Sequence, residues 1–185
     1  MSRVPSKRNY KIIGIIGAIC LIVTAVLFNM LEEKKTQEYQ EKAGYICHEL
    51  KEVHKGINLN ANFLMGGVDR GRISERVEKD IAVVRNLKKE HEDVSVSFAL
   101  SGEKEKVSEL LEIEEKILIQ IQNFCNDSDF VDGTIDTQML FEQALKAEDL
   151  CQDIKLNAPF GELQSLRGAV TTICRVMEVA EEWDQ

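Results

Sequence analysis

The residues best equipped for chemistry lie in one short stretch, Cys47-His48-Glu49-Leu50-Lys51-Glu52-Val53-His54. Thiol, imidazole and carboxylate are the side chains that bind transition metals. Spacing decides whether they can do so together. Cys47 and His54 are seven residues apart, so on a helix they share a face but stand ~10 Å apart along its axis. A single ion with ligand bonds of ~2.0–2.3 Å cannot reach both. His48 and Glu52 have the i, i+4 spacing of a two-point clamp, yet two ligands do not make a site. A metal- or cofactor-binding protein using Cys47, His48 and Glu52 therefore ranks third among the functional readings, and no cofactor or metal is expected.

A second cluster is Asn126-Asp-Ser-Asp-Phe-Val-Asp-Gly133, with three carboxylates. A calcium-binding EF-hand loop needs oxygen ligands at its first, third and fifth positions and glycine at the sixth. Counted from Asp127, the fifth position is Val131 and the sixth is Asp132, so the pattern fails. Helix capping is the better use for these side chains. Asn126-Asp127-Ser128 is also a glycosylation sequon, with meaning only in a eukaryotic secretory route. The chain has no phosphate-cradling glycine loop, no GxSxG elbow, no HExxH and no CxxCH. The sequence predicts no enzyme.

Four cysteines lie beyond Cys20: Cys47, Cys125, Cys151 and Cys174. An even number in an exported domain permits two disulfides. If the helix tops align, Cys47 lies 17 residues below Leu64 and Cys151 lies 16 residues below Ile135. Both then sit ~25 Å from the distal tip at the helical rise. The spacing predicts a Cys47–Cys151 bridge. Cys125 and Cys174 differ in height by ~13 Å and are not expected to pair. In a cytosolic domain all four would be ordinary small core residues.

The elements that place these groups begin with Ile12 to Leu31, twenty residues without a formal charge. As a helix that run is ~30 Å long, the hydrocarbon thickness of a bilayer. Arg3, Lys7, Arg8 and Lys11 precede it, whereas Glu32, Glu33, Lys34 and Lys35 follow. The positive-inside rule then predicts a cytoplasmic tail at 1–11, a transmembrane signal anchor at 12–31 and an extracytoplasmic domain at 32–185. A cleaved signal peptide would have a shorter apolar core and a small-x-small site. Phe28, Asn29, Met30 and Leu31 do not supply one, and Ile19 spoils a lipoprotein site at Cys20. Gly14 and Ala18 form a small-xxx-small step that would let two membrane helices approach closely.

Past the anchor the periodicity is helical. Tyr39, Ala43, Ile46, Leu50, Val53 and Ile57 alternate in steps of four and three, a heptad seam, with Asn60 on the same line. One helix would thus run from the bilayer to about Leu64. Met65 to Arg72 holds three glycines and reads as a turn, with Arg70 and Arg72 as a partner-facing tip. A second helix is expected from Ser74, with Val77, Ile81, Val84, Leu87 and His91 on its stripe. Val94 to Phe98 alternates like a strand but is assigned to that helix. A third helix, 103–125, is apolar nearly all round. A fourth carries Leu140, Ala144, Ala147, Cys151 and Ile154. A fifth carries Leu163, Leu166, Val170, Ile173, Met177 and Ala180. Short connections pack successive helices antiparallel. The fold class is therefore all-α: one transmembrane helix, then an up-down bundle of four or five helices.

Charge limits the partners. Residues 32–185 hold nineteen basic and thirty-two acidic side chains, a net of −13. Such a field disfavours nucleic acid and anionic lipid; a solubilising surface accounts for it first, and a basic protein or cationic ligand second. The architecture is similar to extracytoplasmic sensor modules of bacterial chemoreceptors and kinases, a likeness that no residue motif carries. No second apolar span occurs up to Gln185, so any sensing would run through a partner. The leading expectation is a non-enzymatic interaction or accessory module that meets another envelope protein or a second copy of itself. The alternative is an oligomeric envelope-spanning stalk.

Overall fold

A single helix, α1, runs from Lys7 to Met65. Its 59 residues make it about 88 Å long. The computed structural model describes residues 7–126 and 136–183, with side-chain surroundings for 15–126 and 136–179. Within them, α1 is followed by α2 (Arg70–Glu92), α3 (Ser101–Asn126), α4 (Thr137–Asp153) and α5 (Arg167–Trp183). Single 3-10 turns, Phe98–Leu100 and Phe160–Glu162, lie in two of the connections. No strand occurs among the described residues. The fold is all-α, with the long apolar helix at its N-terminus.

The two halves of α1 meet different surroundings. From Ile15 to Leu31 nothing is buried, and the large apolar side chains there are 50–74% exposed. From Tyr39 onward every seam residue is buried: Ala43, Ile46, Leu50, Val53, Ile57, Asn60 and Leu64. They pack against α2 and α5 of the same chain. The remaining helices close a ring, with α2 against α3, α3 against α4 and α4 against α5. The heptad seam is thus used within one chain and is not free to zip against a second.

Turn chemistry sets the boundaries. Gly67 adopts φ +70°, the left-handed conformation that suits glycine. Val68 N–H donates back to the Phe63 carbonyl at 3.0 Å, closing the end of α1 as a Schellman motif. The Asp69 carboxylate then accepts from Gly71 N–H at 2.7 Å and caps α2. That cap moves the start of α2 from the expected Ser74 to Arg70, so Arg70 and Arg72 stand in its first turn and not in a loop. The Arg70 guanidinium lies 4.3 Å from the Phe124 ring centroid, while Arg72 is exposed.

Residues 94–98 correct the expectation of helix. Asp93 ends α2, and the chain from Val94 to Ser97 is non-helical, with Ser97 extended at φ −66°, ψ 154°. The cause is side-chain capture. Lys104 Nζ donates to the carbonyls of Glu92 and Val94, and the Ser97 and Thr36 hydroxyls meet at 2.8 Å. The α4–α5 connection is longer than expected, because α4 stops at Asp153 and α5 begins only at Arg167. Phe160, fully buried, pins it to the core. Lys155 N–H donates to Glu103 and Asn157 N–H to Gln40, which tie it to α3 and α1. The acidic stretch 127–133, most of the sequon and residues 1–6 of the basic tail lie outside the described residues.

Candidate functional site

The chemistry-bearing stretch of α1 is split by helix geometry. Cys47 faces the core, whereas His48 and Glu52 face solvent. Glu52 is taken by Lys55 at 2.6 Å, and that bond, with the nearby Lys55, His48 and Lys51 charges, holds its carboxyl below the usual range. No group of three His, Cys, Asp or Glu side chains among the described residues is placed to hold a metal ion.

His54 occupies the centre of the bundle instead. Its ring is 2% exposed and joins three segments of chain. One nitrogen, Nδ1, lies 2.6 Å from the Gln164 carbonyl, and Nε2 lies 2.6 Å from Glu114 Oε1 on α3. A carbonyl and a carboxylate both accept, so an imidazolium donating to each satisfies the geometry. Burial alone would depress the His54 pKa. The charge and hydrogen bond of Glu114, helped by Gln164, outweigh it and leave the pKa above its ordinary value. Glu114 Oε2 meets no hydrogen-bonding group among the described residues. A cavity of about 70 Å³ adjoins His54, with Cys151, Gln164 and Leu166 in its walls.

The second buried histidine, His91, has neutral partners. Tyr39 Oη lies 3.0 Å from its Nε2 and Ser108 Oγ lies 3.2 Å from its Nδ1. A neutral ring donates to one hydroxyl and accepts from the other. Burial first, then the charges of Lys104 and Lys42, push the His91 pKa down to about 4. A recess of about 330 Å³ opens beside it between α2 and α3, with Glu92, Glu105, Glu109, Glu112 and Lys88 in its walls. Its charge suits a basic side chain.

The thiols do not offer a nucleophile. Burial, reinforced by Glu114, Cys47 and Glu148, pushes the Cys151 pKa up to about 12. Burial likewise takes Cys125 and Cys174 to about 11 and raises Cys47. The reactive species is the thiolate, so all four are held in their inert form at neutral pH. Cys47 and Cys151 are free and buried, and near enough for Cys47 to contribute to the Cys151 shift.

At the lower end of the bundle a groove of about 480 Å³ lies between α1 and the two connections, walled by Glu32, Thr36, Gln40, Ser97, Ala99 and Asn157. Ala18 is exposed, and Gly14 lies outside the residues whose surroundings are described.

Sequence reasoning missed Glu114. The signal was present: its neighbours at three and four residues are Leu110, Leu111, Ile117 and Leu118, all buried. A carboxylate so framed must face the core and must have a partner there. Comparison with protein-family models, with curated proteins and with solved structures finds no match for this chain.

Proposed function

We propose that this protein is a single-pass, membrane-anchored helical module that works by contact with another envelope protein and not by catalysis. One observation carries the reading. The same helix that leaves Ile15–Leu31 without any internal packing continues unbroken into the buried seam from Tyr39 to Leu64. Exposed apolar surface on that scale is costly in water and favourable in lipid. A continuous helix also transmits the position of its anchor to the bundle without a flexible joint. The excess of Lys and Arg before the span supports a cytoplasmic N-terminus and an extracytoplasmic bundle.

The stalk reading is the weaker one. A parallel oligomeric stalk would need the α1 seam, and that seam is covered by α2 and α5. The enzyme reading is weaker still, because Cys47, His48 and Glu52 diverge and the thiols are protonated.

The test is the full chain expressed in a bacterial inner membrane with an epitope at its N-terminus. It should resist alkaline extraction, and protease added from outside should remove the bundle and spare the epitope. Release into the soluble fraction would overturn the reading. Export would also let Cys47 and Cys151 pair. Non-reducing peptide maps check this, and two free thiols in exported protein would exclude the bridge.

A further inference from the structure

We propose that the α2–α3 connection is a second membrane contact, with the Phe98 side chain seated in the lipid–water boundary beside the span. The inference rests on the membrane reading above and adds a surface to it. Phe98 is 92% exposed, more than any other large apolar side chain among the described residues, including those of the apolar run. Continuing the helix would have carried it along the buried stripe of Leu87 and His91. The non-helical stretch from Val94 to Ser97 breaks that stripe and leaves Phe98 exposed instead.

Its position is fixed, and fixed at an informative height. The Phe98 N–H donates to Glu32 Oε2 at 3.1 Å. One residue earlier, the Ser97 hydroxyl meets Thr36 at 2.8 Å. Glu32 is the first charged residue after Leu31, where the uncharged run ends. If that run fills the hydrocarbon layer, Glu32 stands at its edge, and Phe98 is bonded to Glu32. Apolar side chains of interfacial segments, Phe among them, bury at the boundary between headgroups and acyl chains. Exposed apolar side chains also end the run at this level, since Phe28, Met30 and Leu31, just before Glu32 in sequence, are each about 60% exposed. Charge selects the kind of lipid. Glu32, Glu33, Lys34 and Lys35 cancel locally, and the bundle carries −13, so the contact suits zwitterionic headgroups and not an anionic surface. Two attachments, one spanning and one at the interface, would also fix the tilt of the bundle, which the span alone leaves free.

The test places a single indole in the full chain, with the native Trp183 replaced by Phe. Three variants are reconstituted in phosphatidylcholine vesicles: Phe98→Trp at the proposed contact, Val23→Trp within the span, and Met65→Trp at the far end of α1. Phe98 has an exposed side chain, so its replacement does not disturb the core. Quenching by lipids brominated on their acyl chains is measured for each. Position 98 should be quenched several-fold more than position 65 and less than position 23. If position 23 is quenched and position 98 behaves like position 65, the second contact is wrong and the anchor stands. If position 23 also escapes quenching, the anchor and the contact fall together.

Discussion

His54 and His91 are almost equally buried, at 2% and 1% exposure, and each makes two hydrogen bonds. Their ionisation nevertheless moves in opposite directions. His54 meets a carboxylate and a carbonyl and holds its proton more tightly than usual. His91 meets two hydroxyls, with two lysine charges nearby, and its pKa falls to about 4. Burial is common to both, so the charge of the partner decides the outcome. One bundle therefore contains a buried ion pair between α1 and α3 and a buried neutral network that joins α1, α2 and α3.

The sharpest way to break the comparison is to remove one side of the ion pair. His54→Leu leaves Glu114, fully buried, without its partner. Isolating a buried charge costs about 3–5 kcal/mol. Denaturant unfolding of the detergent-solubilised chain should show that loss. The double variant His54→Leu, Glu114→Leu removes both charges and should regain most of it, since apolar pairs of similar volume replace buried ion pairs well. A double variant as weak as the single would show that packing, not charge, is at stake.

Acid should act on the other centre. The folded pKa of His91, about 4, lies below its unfolded value of about 6.5. A histidine with a depressed pKa adds stability above the unfolded value and loses it as pH falls. Over that interval the loss amounts to about 3 kcal/mol. His91→Gln keeps hydrogen bonding but does not titrate, so its unfolding midpoint should vary less between pH 6.5 and 4. For His54 the sign reverses. Its raised folded pKa gives stability that is full below about pH 6.5 and declines as pH rises through the folded value. The gap between wild type and His54→Leu should therefore narrow in alkali. Parallel pH profiles for the two histidine variants would refute the contrast.

Asn60 supplies a third kind of buried polar group, one with no partner among the described residues. It sits on the α1 seam at 1% exposure, and neither amide atom is hydrogen-bonded. Leaving such a group unsatisfied costs about 1–3 kcal/mol. Asn60→Leu should raise stability by an amount in that range. A loss would mean that the amide is satisfied in solution, for instance by water.

These cases also show what the chain discloses before it folds. The seam from Tyr39 to Leu64 was legible because its steps of three and four depend on local helix geometry alone. So was the burial of His91 and Asn60, which fall on apolar stripes. Glu114 was readable in principle from its four apolar neighbours but not its partner, since His54 lies 60 residues away. Phe98 was not readable. Its outward turn depends on Thr36 and Lys104, and the first of these bonds joins residues 61 apart. Local alternation of Val94, Val96 and Phe98 carries no trace of such long-range capture. The height of Arg70 was similarly hidden, because the Asp69 cap fixes it and a glycine-rich segment gives no sharp start to a helix.

His48 completes the set as the histidine outside the core. Its side chain is exposed, and its helical neighbour Glu52 is already bonded to Lys55. Nothing in its surroundings would be stranded by its removal. His48→Ala should accordingly change stability by less than about 0.5 kcal/mol, the usual range for an exposed site. A larger loss would mean that His48 is engaged in the assembled protein, by a metal ion or by a partner seated on this face of α1. Repeating the measurement with and without a chelator separates those two. A chelator-dependent loss would make His48 and Glu52 metal ligands, and a chelator-independent one would place the partner's footprint on this face.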